Sequence, residues 1–298
     1  MLVVFCPFAA GYYLSYFYRY VNAVIAKDLV ADFGIAPGDL GLLTSAYFLS
    51  FAAAQLPLGV PRRRFGPGRC PRALFCVAGA GPLVFGLAKD LAMLSIGRAL
   101  IGLGVSAGLM GSIKAFTLWF PREKLTALSG WMIGIGSIGT LSATAPMEAL
   151  VGPLGWRAIF VGLALLSLAA ATLIFFVVPE RALPGRAEGW REQFRQVGVI
   201  FSRVDFWRLA APLVISQATF QALQGLWFAP WLADVHGLER GAAANYLFAS
   251  ALAYMLASMG LGVMTEFWAR RGISQLAVYK AGMLSCAVAF APLACGMT

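Results

Sequence analysis

The chain has 298 residues, 60% of them hydrophobic and 12% charged, with a formal net charge of +10 and a mean hydropathy of +0.78. Soluble domains carry about 25% charged residues, so a soluble fold is excluded. The basic excess lies in short connectors, not in a basic domain that could hold nucleic acid, and five cysteines without paired or ligand spacing beside a lone His236 offer no metal or cofactor site.

A bilayer core about 30 Å thick needs roughly 20 apolar residues as a helix. Only helices or closed barrels satisfy their backbone polar groups there, and the apolar runs here are too continuous for alternating barrel strands of about ten residues. The sequence therefore predicts an all-α integral membrane protein with spans at 2–25, 38–60, 72–88, 91–119, 125–151, 156–178, 207–233, 241–265 and 274–297. The first run is too long for a cleavable signal peptide. Connectors after spans two, four, six and eight hold fifteen Lys and Arg, and the alternate connectors hold four. The positive-inside rule places the richer set, and the N-terminus, in the cytoplasm. The longest connector contains Pro184, Gly185 and Gly189 and then the mixed-charge stretch Trp190–Arg195, which predicts a linker leading to an amphipathic surface helix. The chain divides into a six-helix half at 1–179, a cytoplasmic linker at 180–205 and a partial second half of three helices at 206–298.

Charges inside spans are costly and mark functional candidates. Arg19 lies late in span one among Tyr16, Phe17, Tyr18, Tyr20 and Asn22. It either faces a central cavity and binds an anionic group, which a planar bidentate donor suits, or snorkels to the interface. Tyr12, Tyr13, Tyr16 and Tyr20 recur at roughly helical spacing and line the same cavity or form an interfacial belt. Arg98 and Lys114 are sixteen residues apart in span four, about 24 Å at helical rise, so both cannot be central. Lys114, near Trp119, reads as snorkelling. Gln217, Gln221 and Gln224 in span seven share one helix face, directed at a cavity or a partner helix. Asn245 and Tyr254 are weaker candidates, and Lys280 reads as interfacial. Glycines in spans four and five (Gly102, Gly104, Gly108, Gly111; Gly130, Gly134, Gly136, Gly139) predict close helix packing. No nucleotide loop, paired carboxylates, catalytic histidine or Gly-x-Ser-x-Gly elbow is present, which argues against ATP-driven transport and against an enzyme.

The chain also repeats itself. Span two exits through Gly59-Val60-Pro61-Arg62-Arg63-Arg64-Phe65-Gly66, and span eight through Gly262-Val263-Met264-Thr265-Glu266 to Arg270-Arg271-Gly272. Each is the same end of the second span in its block, as in parallel repeats joined by a linker. Gly59, Arg64 and Gly66 resemble the signature between spans two and three of the major facilitator superfamily. Arg98 with Gly102 and Gly104 is similar to that family's Arg-x-x-x-Gly-x-Gly motif, and Trp119 to Lys124, Gly155-Trp156-Arg157 and Pro179-Glu180 are also family-like. The stretch around Arg19 resembles the first-span pattern of the organic-anion symporter branch, with Tyr18 in place of its acid.

That resemblance implies secondary-active transport of a small, anionic solute by alternating access, in a cell or inner membrane, without a cofactor. Arg19, Arg98, Gln217, Gln221, Gln224 and Tyr16 would bind solute. Gly59, Arg63, Arg64, Gly66, Gly262, Glu266 and Arg270 would form the gating motifs. Arg63 stands where the signature carries an acid, so the first-half latch is not expected to work as in the family. The family has twelve spans and this chain shows nine. The alternative expectation is a truncated, non-transporting fragment, or a half-transporter completed by a partner chain.

Overall fold

A computed structural model of the chain describes residues 2–55, 77–106, 108–177 and 190–272, with 277, 280–282, 284–285 and 288. The described residues are almost wholly helical. They comprise α1 (Leu2–Phe33), α2 (Pro37–Gln55), the described part of α3 (Val77–Gly86), α4 (Leu91–Val105), α5 (Gly108–Trp119), α6 (Arg122–Ser142), α7 (Ala145–Val177), α8 (Trp190–Phe201), α9 (Val204–Ala222), a π-helical turn (Leu223–Trp227), α10 (Phe228–Asp234) and α11 (Arg240–Arg270). The chain forms two compact units, 1–251 and 252–298. The first holds the cavity described below. The second begins within α11 and is helical where described.

The break points differ from the sequence expectation for reasons local to the chain. α1 runs to Phe33, well past the expected end of span one. Span five does not run unbroken, because α6 stops at Ser142. Pro146 lacks the N–H that would bond the Ser142 carbonyl, and Thr144 instead turns its hydroxyl onto the Leu141 carbonyl at 2.6 Å. The remainder of span five continues into span six as α7, bent at Gly155, whose φ of 73° suits glycine. Of the described helices, only Ala145–Phe176 has the length and mean hydropathy (2.5) for a membrane crossing by itself. The others dilute their apolar character with Tyr, Ser, Gly and Gln.

Within the first unit α1 lies at the centre. It packs along α6 and α7 and also touches α4, α5, α10 and the π turn. Phe8, Tyr18, Val21, Ile25 and Leu29 are its fully buried spine. Phe85, Trp156 and Phe160 pack edge-on beneath it, with Phe85 and Phe160 centroids 4.4 Å apart. In lipid such contacts gain little from the hydrophobic effect, so close fit and small residues hold the helices. A Cβ on Gly102 would overlap the Tyr47 carbonyl of α2, one on Gly104 would overlap Ala78 of α3, and one on Gly139 would overlap the Tyr13 carbonyl of α1. Gly130 and Gly134 face open space, so only part of the glycine pattern serves packing. Outward, Trp131 and Phe176 are largely exposed, as suits a lipid-facing shell.

Candidate functional site

Arg19 reaches the centre of the first unit through the wall made by α1. Its guanidinium carbon lies 4.7 Å from the Tyr16 ring centroid and 5.0 Å from that of Phe51. Its Nε is buried and has no hydrogen-bond partner. Among the described residues it forms no ion pair. A desolvated cation between two aromatic faces, with a donor unspent, is arranged to receive an anion.

Two compartments meet at that side chain. One, about 890 Å³, lies between α2 and α9 and includes Thr44, Ser45, Phe48, Gln217, Gln221 and Trp227 in its lining. The other, about 190 Å³, is lined by Tyr12, Ser15, Tyr16, Phe51, Gln55 and Val105, with Arg19 and Phe51 common to both. Tyr12 donates its hydroxyl hydrogen to Tyr16 at 3.2 Å. Among the described residues, Arg19 is the only ionisable cation in either lining, and no carboxylate lines either.

The three span-seven glutamines separate. Gln217 and Gln221 line the larger compartment, and Gln221 accepts a hydrogen bond from the Tyr20 hydroxyl across the junction with α1. Gln224 does not join them. It is buried, donates to the Leu247 carbonyl of α11 at 3.1 Å and accepts from the Ser250 hydroxyl at 2.8 Å. The cause is the π turn at Leu223–Trp227, whose wider repeat rotates Gln224 off the α-helical face. Gly225 in that turn sits against the Arg19 carbonyl, which lets α1 and the π turn approach closely.

Arg98 is also not in the cavity. It is fully buried, donates to the Tyr18 carbonyl at 2.9 Å and lies 5.3 Å from the Phe85 centroid. It ties α4 to α1 beneath the cavity wall. Tyr18, standing where the resemblance places an acid, is buried and bonded to the Leu163 carbonyl at 3.1 Å and Ser167 at 2.9 Å. Asn245 is exposed and Tyr254 partly so. Gly59, Arg63, Arg64 and Gly66 lie outside the described residues. Gly262, Glu266 and Arg270 lie on α11, and their side chains are likewise outside the description.

Sequence reasoning missed a charged knot. Arg240, at the start of α11, donates through Nη1 to Asp28 at 2.9 Å, through Nη2 to the Val24 carbonyl at 3.2 Å, and through Nε to Glu148 at 2.8 Å. One cation thus joins α1, α7 and α11. Asp28 lies in the connector after span one and Glu148 near the end of the expected span five, both more than ninety positions from Arg240, so spacing carried no signal. A second missed pair lies beyond the spans, where Asp32 accepts from the Trp156 indole at 3.0 Å and from Arg157. The indole N–H first, and the guanidinium beside it, hold the Asp32 carboxyl below the usual carboxylate range.

Fold and site together define a helical membrane protein with a cavity lined by α1, α2, α9 and the π turn. Residues 8–297 match the Major Facilitator Superfamily, and the chain belongs to it. That family comprises multi-pass transporters, not enzymes. Over 166 residues the chain is 27% identical to the probable sulfoacetate transporter SauU of Cupriavidus necator, covering 55% of this chain and 38% of that protein. Over 229 residues it is 23% identical to the nitrate/nitrite transporter NrtP of a Picosynechococcus species, covering 67% and 42%. The chain thus spans less than half the length of these relatives. Among solved structures it superposes with a TM-score of 0.70 on a bacterial homolog of the human lysosomal transporter Spinster, in an inward-facing, unoccupied conformation. That match has 19% identity and covers 91% of this chain and 64% of that one. A D-xylose–proton symporter matches at a TM-score of 0.61 and 15% identity, covering 89% and 68%. Both show the shared fold.

Proposed function

We propose that the chain moves a small anionic solute across a membrane by alternating access between its first half (1–179) and its second (206–298), joined by the 180–205 linker. The observation that carries this reading is Arg19, a cation without a carboxylate, facing a cavity lined by both halves. Gln217, Gln221 and Tyr16 complete the solute's polar contacts, while Arg98 and Gln224 brace the helices around it. The names of two relatives, which specify sulfoacetate and nitrate or nitrite, support the sign of the charge. The membrane is a cell or inner membrane with the N-terminus cytoplasmic, on the connector charges. Symport, implied by the organic-anion branch, requires a coupling group other than a carboxylate in the described cavity lining. The test is uptake of labelled organic anions into cells or proteoliposomes, with cations of matched size as controls. Anion uptake that Arg19→Ala abolishes, at unchanged membrane abundance, supports the reading. Uptake unaffected by the substitution sinks Arg19's role.

One observation favours a second reading, in which further helices, from a partner chain or a longer product, complete the bundle. No side chain of α9 is buried, and Leu213, Val214 and Ile215 are each more than half exposed. The intact mass of the protein from its native membrane separates the cases. A value near 31.8 kDa in a complex indicates a partner, and a larger one indicates a longer product.

A further inference from the structure

Charge and apolar surface are distributed unequally around Arg19. The smaller compartment, about 190 Å³, gathers hydroxyls and an amide from Tyr12, Ser15, Tyr16 and Gln55 around the guanidinium. The larger, about 890 Å³, carries Thr44 and Ser45 from α2 and two glutamines from α9, but Phe48, Leu49, Val214, Leu226 and Trp227 make up much of the rest. Its size is that of pockets that enclose drug-sized ligands, roughly 300–1,000 Å³. Leu49 and Val214 are 69% and 60% exposed, so its rim is apolar. A compact oxyanion would occupy only the end nearest Arg19 and leave these apolar walls without a partner.

We propose that the solute is an amphipathic monoanion, with a compact oxyanion head held by Arg19 at the smaller compartment and a larger uncharged, apolar body in the compartment between α2 and α9. This rests on the reading of Arg19 as the anion-binding group. A dianion is disfavoured because, among the described residues, no second cation lines either compartment. The head gains charge-assisted hydrogen bonds, and the body gains burial against Phe48 and Trp227. Ala218 faces the larger compartment and is absent from the smaller, so bulk placed there obstructs the body and spares the head.

The experiment measures binding to the full chain in lipid nanodiscs, with empty discs subtracted, using ethanesulfonate, naphthalene-2-sulfonate and neutral naphthalene-2-methanol. The expected result is naphthalene-2-sulfonate binding roughly tenfold or more tighter than ethanesulfonate. Arg19→Gln should remove its advantage over the neutral analogue. Ala218→Phe should weaken naphthalene-2-sulfonate roughly tenfold and leave ethanesulfonate near its starting affinity. Ser45→Phe, on α2, is the second obstruction should Ala218→Phe fail to fold. Equal or tighter binding of ethanesulfonate that still needs Arg19 overturns the apolar-body proposal and leaves the anion reading standing. Binding that is indifferent to Arg19, or no binding of either sulfonate, overturns both.

Discussion

Arg19, at the cavity between α2 and α9, and Arg240, where α1, α7 and α11 meet, are both cations at helix junctions, and the chain treats them oppositely. Arg240 is matched by Asp28 and Glu148 and spends every side of its guanidinium on them and on the Val24 carbonyl. Arg19 has aromatic rings for neighbours, a buried Nε without a partner and no carboxylate within ion-pairing distance among the described residues. A desolvated charge is expensive unless paired. Arg240 therefore reads as structure. Arg19 is a cost that the fold carries unless something anionic arrives. The comparison teaches that the neighbours of a membrane-embedded cation, more than its presence, separate holding helices together from holding a solute.

A large stability effect should come from the paired cation. Arg240→Ala leaves Asp28 and Glu148 facing each other without a counter-charge. The cost should be about 1–3 kcal/mol, below the 3–5 kcal/mol of fully buried pairs because the three side chains keep some solvent contact. A melting curve in detergent or nanodiscs reads it. Removing all three charges together (Arg240→Met, Asp28→Asn, Glu148→Gln) should recover part of the loss. Arg19→Ala should leave the melting temperature unchanged or raise it, and a fall comparable to that of Arg240→Ala would erase the contrast.

The glutamines sharpen the same distinction. Gln224→Ala should cost about 1–3 kcal/mol, since it strands buried partners on α11, and should reduce transport only in proportion to the protein lost. Gln221→Ala should leave stability nearly intact and raise KM, read by initial uptake rates across solute concentrations. Reversed outcomes would mean that the π turn does not divide their roles. Gly102→Ala should destabilise by roughly 1–3 kcal/mol through overlap with the Tyr47 carbonyl, whereas Gly130→Ala, facing open space, should be nearly neutral.

The helical membrane class was legible in the sequence and Arg19 stood out as a candidate, because hydropathy, periodicity and an ionisable residue in an apolar run are local signals. So was the helical stretch at Trp190–Phe201, from its mixed charge next to bulky apolar residues. The fate of Arg98 was not. A motif position tells where an arginine lies along a helix but not which way it points, and here it points at the Tyr18 carbonyl. For the glutamines the i, i+4, i+7 spacing left a cavity and a partner helix both open, and it assumes an uninterrupted α-helix, whereas a π turn starts at Leu223 and Gln224 bonds α11. The Arg240 knot was invisible because its carboxylates are 92 and 212 positions away in the chain, beyond the reach of any local signal.

The smallest effect expected is on pH dependence. Asp32 has its folded pKa depressed by the Trp156 indole and Arg157. Its contribution to stability is therefore full above the unfolded carboxyl value of about 4 and is lost as pH falls through the lower folded value. The melting temperature of Asp32→Asn should lie slightly below that of the parent at neutral pH, and the two should converge in acid. A difference that persists there would point to packing rather than charge.

The most direct test of the account is uptake of a labelled organic anion measured in parallel for the parent chain, Arg19→Ala, Arg19→Lys and Arg240→Ala, each normalised to folded protein in the membrane. The account predicts near-complete loss for Arg19→Ala, partial retention for Arg19→Lys, which keeps the charge but not the planar fork, and a loss for Arg240→Ala that tracks reduced folded protein. Normalised uptake by Arg19→Ala equal to that of the parent would contradict the claim that this unpaired cation binds the solute.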